Sequence, residues 1–484
     1  MVLHHNRVFI GGRWTTPESA PTISVTSPHS GEVIASVASA TPTEVNQAVT
    51  AARTAFDSGP WPRQAPAERI TAIRRLAAAY EANRGEMAKR ITAEMGAPIT
   101  FSRRAQVRLP MMAMVALCDV ADEFLWQEAR PGMYGSDILI GRQPVGVVAA
   151  VVPWNMPQFL TIGKLVPALL AGCTVVIKPS PEAALDAVLL AELIEAADLP
   201  PGVVSVLIGD SDVGKALVSH RGIDKVSFTG STAAGRQVAL ACAANLKQAS
   251  LELGGKSAAI VLPDADPFKT AGAIRAASMS NSGQVCNALT RILVPEHRQS
   301  EFIDALAYEI GSLIVGDPED PSTDIGPLVS EVQQRRVCDY IEEGVREGAR
   351  LVVGGSGTPA GLDRGCYVTP TLFADADNNM RIAREEIFGP VLTVIAYRDE
   401  DQAIEIANDS EYGLAGAVFT ADLAHGRDIA SRVRAGSFGV NQGYIMDPLA
   451  PFGGMKSSGY GRELGHEGLE SYLVTQSLSQ TTQN

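Results

Sequence analysis

The feature that most constrains the fold of this chain is a regular alternation of apolar strands and helices between Val145 and Ala244. Residues 145–152 form an almost continuous apolar run, which is typical of a strand buried on both faces of a parallel sheet. The pattern then predicts helices at 161–170, 182–197, 213–219 and 232–244, and strands at 174–177, 203–207 and 225–228. Short connections between such elements are typical of a doubly wound α/β domain.

A second alternating block begins near Ser257, with predicted helices at 267–282, 301–313 and 331–347 and a strand at 291–294. The turn 253–256 separates the two blocks, so we place a domain boundary there. Upstream of the first block, we expect short strands to about residue 40 and helices beginning near residues 43 and 66. The predicted fold class is α/β, with a doubly wound Rossmann-like domain and a second α/β domain. Ligands of such sheets bind beyond the carboxyl ends of the strands.

Charge and cysteine usage narrow the classes of function. A formal net charge of −14 repels phosphate backbones and anionic membrane surfaces, so no nucleic-acid and no membrane partner is expected. Residues 1–7 lack the apolar stretch of a signal peptide, and no apolar run is long enough to cross a bilayer. The six cysteines show no CxxC pair, so neither a disulfide framework nor a metal site is expected. These features predict a cytoplasmic protein with reduced thiols.

The segment Ser282-Gly283-Gln284-Val285-Cys286-Asn287 contains the main candidate nucleophile. A reactive thiol needs access and polar neighbours, and Cys286 lies in a turn of small and polar residues at the end of a predicted helix. A buried, inert cysteine is the alternative interpretation.

Two further motifs carry candidate catalytic groups. Pro153-Trp154-Asn155 follows the apolar strand, where the Asn155 amide can donate to a developing oxyanion or simply cap the next helix. Glu252 lies beside apolar residues and a double glycine, so it is a candidate general base with a raised pKa. A carboxylate in a surface loop is its alternative interpretation.

Three other motifs lie at the ends of predicted elements. Phe228-Thr229-Gly230-Ser231 opens a helix whose first N–H groups attract phosphate, although the GxGxxG fingerprint is absent. Lys178-Pro179-Ser180 ends a strand and can present a lysine to a ribose or a phosphate. Glu386-Ile387-Phe388-Gly389-Pro390 joins a carboxylate to a Gly-Pro turn. Each of the three is also compatible with an ordinary turn.

Taken together, seven motifs occur in the order found in the aldehyde dehydrogenase superfamily, which this chain resembles over nearly its whole length. They are the Pro153, Lys178, Phe228 and Glu386 motifs above, Leu251-Glu252-Leu253-Gly254-Gly255-Lys256, Gly283-Gln284-Val285-Cys286 and Pro451-Phe452-Gly453-Gly454-Met455-Lys456-Ser457-Ser458-Gly459.

The resemblance implies oxidation of an aldehyde to a carboxylic acid with reduction of NAD⁺. Cys286 is then the nucleophile, which forms a thiohemiacetal and later a thioester. The Asn155 amide and the Cys286 backbone N–H are the implied oxyanion hole. Glu252 is the implied base that activates the hydrolytic water.

The resemblance also implies where the cofactor binds. Lys178 resembles the ligand of the adenosine ribose, Ser231 the pyrophosphate contact, Glu386 the ligand of the nicotinamide ribose, and Phe388 a neighbour of the nicotinamide ring. Other positions that match the cofactor pocket are Val152, Trp154, Ser180, Gly209 and Gly230.

The chain departs from the family at the position three residues after the lysine, where many NAD-preferring members carry a glutamate. Pro181 stands there, and the acid is Glu182. A carboxylate at the ribose repels the additional phosphate of NADP⁺. We expect NAD as the cofactor, with NADP as the alternative.

The substrate tunnel also departs from small-aldehyde enzymes. Positions that are often aromatic are Met156, Gly163 and Met446 here, whereas Phe452 is kept. Less ring volume predicts a wide apolar tunnel and a bulky hydrophobic aldehyde.

The family builds a protruding β-hairpin that pairs with a partner subunit, and the strands within 138–151 fit that arm, with the tail 471–478 extending its sheet. The implied division is an NAD-binding domain at 1–121 and 145–254, a catalytic domain at 255–455, and an oligomerisation arm at 122–144 and 456–484. A homotetramer or a homodimer is implied by the resemblance.

Three competing functions use part of the same motif set. A CoA-acylating semialdehyde dehydrogenase usually lacks the water-activating glutamate, which Glu252 supplies here. A hydrolase using Cys286 and Glu252 has no need of the cofactor motifs, and a non-catalytic scaffold has no need of Cys286, Glu252 and Asn155 together.

Overall fold

The computed structural model describes residues 3–17, 21–134 and 136–479. Two large, mainly parallel sheets flanked by helices form the body of this part of the chain, and three small sheets accompany them. The α/β fold class predicted from the alternating pattern is confirmed.

The α-helices within the described residues are α1 Pro42–Ser58, α2 Pro66–Met95, α3 Ile99–Phe101, α4 Arg108–Glu123, α5 Pro157–Ala171, α6 Ala184–Ala196, α7 Ser211–Ser219, α8 Thr232–Ala243, α9 Pro267–Ser278, α10 Gln299–Gly311, α11 Glu331–Arg346, α12 Arg381–Arg384, α13 Glu400–Asn408, α14 Leu423–Arg432 and α15 Gly465–Glu470. A π-helical turn, Ser102–Gln106, separates α3 from α4.

The strands are β1 Leu3–His5, β2 Val8–Ile10, β3 Arg13–Thr15, β4 Thr22–Thr26, β5 Val33–Ala38, β6 Gln127–Pro131, β7 Asp137–Pro144, β8 Val147–Val151, β9 Thr174–Lys178, β10 Val204–Val206, β11 Lys225–Thr229, β12 Gln248–Glu252, β13 Ser257–Val261, β14 Leu289–Pro295, β15 Arg350–Gly355, β16 Thr369–Ala374, β17 Val391–Tyr397, β18 Tyr412–Gly413, β19 Ala415–Phe419, β20 Ser437–Val440, β21 Met455–Lys456, β22 Gly459–Tyr460 and β23 Leu473–Ser479.

The first large sheet has the order β22-β12-β11-β8-β9-β10-β2-β3. Its five central strands, β12 to β10, run parallel. Strand β8 lies inside this sheet and is almost completely buried, which explains its continuous apolar sequence. The assignment of residues 147–151 to a protruding hairpin was therefore wrong.

The second large sheet has the order β15-β16-β17-β14-β13-β19-β20, and only β15 runs antiparallel to its neighbour. A separate sheet of order β23-β7-β6 is built from the hairpin strands and the C-terminal strand. Strand β23 pairs with β7 from Leu473 opposite Pro144 to Ser479 opposite Ile138. No helix among the described residues has the length and apolar character needed to cross a membrane.

Two helix boundaries differ from the predictions by four residues, and the other predicted boundaries differ by two residues at most. Helix α5 begins at Pro157 rather than at residue 161, because proline suits the first helical turn, where its missing N–H has no intrahelical partner. The helix predicted to reach residue 282 ends at Ser278. Asn281, Ser282 and Gly283 follow with φ values of 53°, 56° and 75°, which no right-handed helix accommodates.

Candidate active site

A cleft of about 260 Å³ opens between the two large sheets. It is lined by the three predicted catalytic residues, Asn155, Glu252 and Cys286. Asn155 lies between β8 and α5, and Glu252 is the last residue of β12, so the first sheet presents both at its carboxyl edge. Cys286 lies between α9 and β14 of the second domain.

The turn that leads to Cys286 is held in place by residues from other segments of the chain. A Cβ atom on Gly283 would lie 2.3 Å from the carbonyl oxygen of Gly389, so glycine is required there by space as well as by its φ of 75°. The Asn281 amide donates to the Asn155 carbonyl oxygen at 2.9 Å, and the Ser282 hydroxyl donates to the Gly326 carbonyl oxygen at 2.9 Å. These contacts stabilise two non-glycine residues in left-handed conformations.

Asn155 is a buried donor that is only partly used. Its Nδ2 donates to the carbonyl oxygen of Gln284 at 3.0 Å, two residues before Cys286. A side-chain amide carries two N–H groups. The second N–H is therefore available for an oxygen atom in the cleft.

Glu252 is buried, and neither of its carboxylate oxygens has a hydrogen-bond partner among the described residues. Burial, and then the charge of Glu463, raise the pKa of Glu252 well above its usual range, while Lys164 and Arg462 oppose the shift. Lys164 is itself paired with Glu463. An unpaired carboxyl group with a raised pKa has the properties of a general base.

The Cys286 thiol lies deep in the cleft and is partly exposed to it. Burial, and then the carboxylates of Glu386 and Glu252, raise its pKa to about 12, against the opposing backbone N–H groups of Cys286 and Asn287. The free thiol is therefore protonated at neutral pH, and a base must remove its proton before it can attack.

The far side of the cleft presents Glu386 and Phe388. The Gly255 N–H donates to Glu386 Oε1 at 3.1 Å. A Cβ on Gly254 would lie 2.3 Å from Glu386 Oε2, and a Cβ on Gly255 would lie 2.4 Å from the Cys286 carbonyl oxygen, which accounts for the double glycine after Leu253. Burial raises the pKa of Glu386 to about 7. Phe388 meets the ring of Trp154 edge to face, with centroids 5.5 Å apart.

Two residues of α11, Gln333 and Arg336, also lie on this side of the cleft, and no sequence motif predicted them. Gln333 donates to the Phe388 carbonyl oxygen at 2.7 Å, and Arg336 donates to the Glu386 carbonyl oxygen at 2.6 Å. Both line the cleft. The only signal in the sequence was a polar pair three residues apart at the start of a helix, which is common on solvated faces.

Most of the predicted cofactor residues lie at the carboxyl edge of the first sheet. Trp154, Gly230 and Ser231 line the cleft, and Ser231 caps α8 by accepting from the Ala234 N–H at 3.3 Å. The start of α8 can therefore receive an anionic group, as the pyrophosphate of a dinucleotide requires. With Glu386 opposite, the residues present fit a nicotinamide dinucleotide.

Val152, Lys178, Ser180 and Gly209 lie outside the cleft lining but at the ends of neighbouring strands. The Val152 N–H donates to the Lys178 carbonyl oxygen at 3.1 Å. Burial lowers the pKa of Lys178 to about 8, and Glu182 and Asp210 oppose the shift. Ser180 donates to the Glu182 carboxylate. Gly209 directly precedes Asp210, which caps α7.

The four predicted tunnel residues do not line this cleft. Met156 precedes α5, and Met446 packs on the edge of the first domain's core. Phe452 is buried and stacks on Tyr444 with centroids 6.0 Å apart. A Cβ on Gly163 would lie 3.7 Å from Glu463 Oε2.

A doubly wound sheet that faces the sheet of a second α/β domain across a cleft, with a few polar side chains in that cleft, is typical of nucleotide-dependent enzymes. Residues 14–478 match the aldehyde dehydrogenase family, and the chain belongs to that family. Similar proteins include a geranial dehydrogenase of Castellaniella defragrans, 46% identical over 472 residues and 98% of each chain. A 3-succinoylsemialdehyde-pyridine dehydrogenase of a Pseudomonas species is 41% identical over 475 residues and 97% of each chain.

Solved structures agree with this membership. An aldehyde dehydrogenase of Mycobacterium tuberculosis complexed with NAD⁺ has a TM-score of 0.97 and 46% identity, and the match covers 99% of this chain and 98% of that one. Aldehyde dehydrogenase C of Pseudomonas syringae, a Cys-to-Ala mutant in complex with NAD⁺ and octanal, has a TM-score of 0.95 and 42% identity, with 98% and 96% covered.

Proposed function

We propose that this enzyme oxidises a bulky, hydrophobic aldehyde to its carboxylic acid with NAD⁺, through a thiohemiacetal and a thioester on Cys286. The observation that carries the proposal is the meeting of three groups in one cleft: a thiol, an amide with a free N–H, and a buried carboxylate without a partner among the described residues.

The first half of the reaction forms the bond between sulfur and carbon. The Cys286 thiol gives up its proton to solvent, and Sγ then attacks the carbonyl carbon of the aldehyde as the thiolate. The Asn155 amide and the Cys286 backbone N–H donate to the resulting oxyanion, and loss of one such donor typically costs about 10²–10³ in rate. NAD⁺, when bound, supplies the acceptor for the hydride that leaves this carbon.

The second half releases the acid. Glu252 takes a proton from water, the hydroxide attacks the acyl carbon, and the carbon–sulfur bond breaks to return the Cys286 thiolate. The high pKa of Glu252 suits it to this proton transfer.

NAD is proposed as the cofactor, held by Ser231, Glu386 and Phe388 in the cleft, with Lys178 and Ser180 beyond it. The NAD⁺ complexes of the two similar structures support this assignment. Glu182 and Asp210 both act on the Lys178 side chain, and their negative charge disfavours the additional phosphate of NADP⁺.

The preference for a bulky aldehyde is argued from Met156 and Met446, because methionine is a flexible side chain and stands here where the resemblance implies tunnel residues that are often aromatic. Relatives named for geranial and bound to octanal point to the same class of substrate. A CoA-acylating alternative is disfavoured because Glu252 is present and buried in the cleft.

The three-part domain division and a homodimer or homotetramer joined through β6, β7 and β23 are also proposed. Six cysteines are free among the described residues, which fits the reducing cytoplasm that we propose as the compartment.

Initial rates of NADH formation with aldehydes from acetaldehyde to decanal and citral test this function. We expect rates to rise with substrate bulk and to vanish in Cys286→Ala, whereas Cys338→Ala, which removes a partly exposed thiol elsewhere, keeps them. Glu252→Gln is expected to form NADH once per site but to lose steady turnover. Full activity in Cys286→Ala would refute the mechanism, and a preference for acetaldehyde would refute the substrate class.

A further inference from the structure

The carbonyl oxygen of Asn155 accepts two hydrogen bonds from buried side chains that no motif of the sequence singled out. Gln106 Nε2 donates to it at 2.8 Å, and Asn281 Nδ2 donates at 2.9 Å. Gln106 is 0% exposed and Asn281 is 1% exposed. Protein contacts therefore hold both side chains in place.

These contacts belong to a small hydrogen-bond network around the turn that leads to Cys286. The Asn155 amide donates to the Gln284 carbonyl oxygen at 3.0 Å, and the Asn281 amide lies 3.4 Å from the same oxygen. Asn155 and Gln284 are thus held together by one shared donor, Asn281. Since Gln284 is two residues from Cys286, the network links the amide of one domain to the thiol of the other.

Both donors come from irregular backbone. Gln106 is the last residue of the π-helical turn between α3 and α4, where the Val107 N–H donates to the Ser102 carbonyl oxygen at 3.1 Å. Single π-helical turns inside helices occur mainly at functional sites, because the additional residue redirects a side chain. The Ser102 hydroxyl is held by Thr92 at 2.8 Å, which anchors this turn to α2. Asn281 has a φ of 53°.

We propose that Gln106 and Asn281 are positioning residues that hold the Asn155 amide at the distance from Cys286 that oxyanion stabilisation requires. This rests on the proposed role of Asn155 in thiohemiacetal formation. Neither residue touches the substrate in this proposal. Small displacements of a positioned group can cost up to about 10²-fold in rate.

The test is a double-mutant cycle between Gln106→Met and Asn155→Ala. Methionine keeps the length of the side chain and removes the donor. The readout is the single-turnover rate of NADH formation with octanal at saturating NAD⁺, together with the KM for NAD⁺. We expect Gln106→Met to lower this rate about tenfold or more, with little change in the KM for NAD⁺. In the Asn155→Ala background it should have no further effect.

Gln334→Met is the matched control, because Gln334 makes an equivalent bond to the Tyr367 carbonyl oxygen at 2.9 Å outside the cleft. Asn281→Asp is the second variant, since aspartate tolerates the left-handed conformation and lacks the donor. If Gln106→Met does not fold, the cycle is run with Asn281→Asp.

The outcomes separate the two proposals. If Asn155→Ala leaves the single-turnover rate unchanged, the oxyanion role in the proposed function fails. If Asn155→Ala is slow but Gln106→Met and Asn281→Asp are as fast as the parent, the positioning role fails. Equal losses in both backgrounds would show a general structural effect and would also overturn it.

Discussion

At the scale of single residues, the cleft favours the protonated thiol of Cys286, the proposed nucleophile, in the free protein. Cys286 faces two carboxylates, Glu386 and Glu252, and burial acts in the same direction as their charge. A thiolate forms only when a proton acceptor takes the proton or when a neighbouring negative charge is removed. A protonated thiol is less prone to oxidation, since the thiolate is the reactive form.

Removing the charge of Glu386 tests this account. We expect Glu386→Gln to lower the pKa of Cys286, so that alkylation by iodoacetamide reaches half its maximal rate at a lower pH. Glu385→Gln is the control, because Glu385 is engaged by Arg381 and Tyr340 instead. An unchanged alkylation profile in Glu386→Gln would contradict the electrostatic explanation.

The pH dependence of turnover should report Glu252. The charge of Glu463 raises the pKa of Glu252, and a base works only when deprotonated, so activity is lost as the pH falls through that pKa. Glu463→Gln lowers the pKa of Glu252, and the acid limb of kcat should move to lower pH. The exposed Glu467→Gln should leave the limb in place. A shift to higher pH would contradict the assignment of the base.

The residues that line or support the cleft were predictable only where a local sequence motif contains them. Cys286, Glu252 and Asn155 stand in recognisable motifs at element ends, and all three line the cleft. Gln106 and Arg336 carry no such signal, because they act through contacts with residues about 50 positions away in the chain. Tertiary contacts of this kind are not visible in local patterns.

At the scale of elements, the alternating pattern predicted strands β8, β9, β10 and β11 of the first large sheet, because a strand buried on both faces leaves a continuous apolar run. In the second large sheet it predicted only β14. It failed at the end of α9, where Asn281 and Gly283 are of types that tolerate φ above zero but Ser282 is not. The hydrogen-bond partners that stabilise Asn281 and Ser282 come from distant segments.

Gly283→Ala should damage this turn. The left-handed conformation costs alanine about 1–2 kcal/mol, and the close Gly389 carbonyl adds a clash. We expect a lower melting temperature and a fall in the single-turnover rate of NADH formation. Gly357→Ala is the control, because nothing lies within 4 Å of a Cβ there. Equal stability of the two variants would show that the turn is less constrained than its contacts indicate.

At the scale of the whole molecule, the small sheet β23-β7-β6 stands apart from both large sheets. The sequence pattern placed the strands within residues 138–151 in a single hairpin. In the structure, β7 and β8 are separated by only two residues and belong to different sheets. Apolar content alone did not distinguish them.

Ending the chain after Tyr472 removes β23 and leaves one edge of β7 without its partner strand. We expect the truncated protein to form a smaller assembly in light scattering after size exclusion, because it lacks one of the three strands through which we propose that subunits join. Ending the chain after Ser479 should leave the mass of the assembly unchanged. Identical masses for both truncations would argue against a role of β23 in assembly.

The cleft lies at the interface between the two domains, with Glu252 on the sheet of one domain and Cys286 in the other. Most of the apolar core of each domain is separate from that of the other. We therefore expect thermal inactivation and thermal unfolding to report different events. We expect loss of catalysis on warming to report the spacing of the two domains at this interface, and calorimetry to report the melting of the cores. We therefore expect the half-life of activity in storage to increase more with new contacts across that interface than with denser packing within either core.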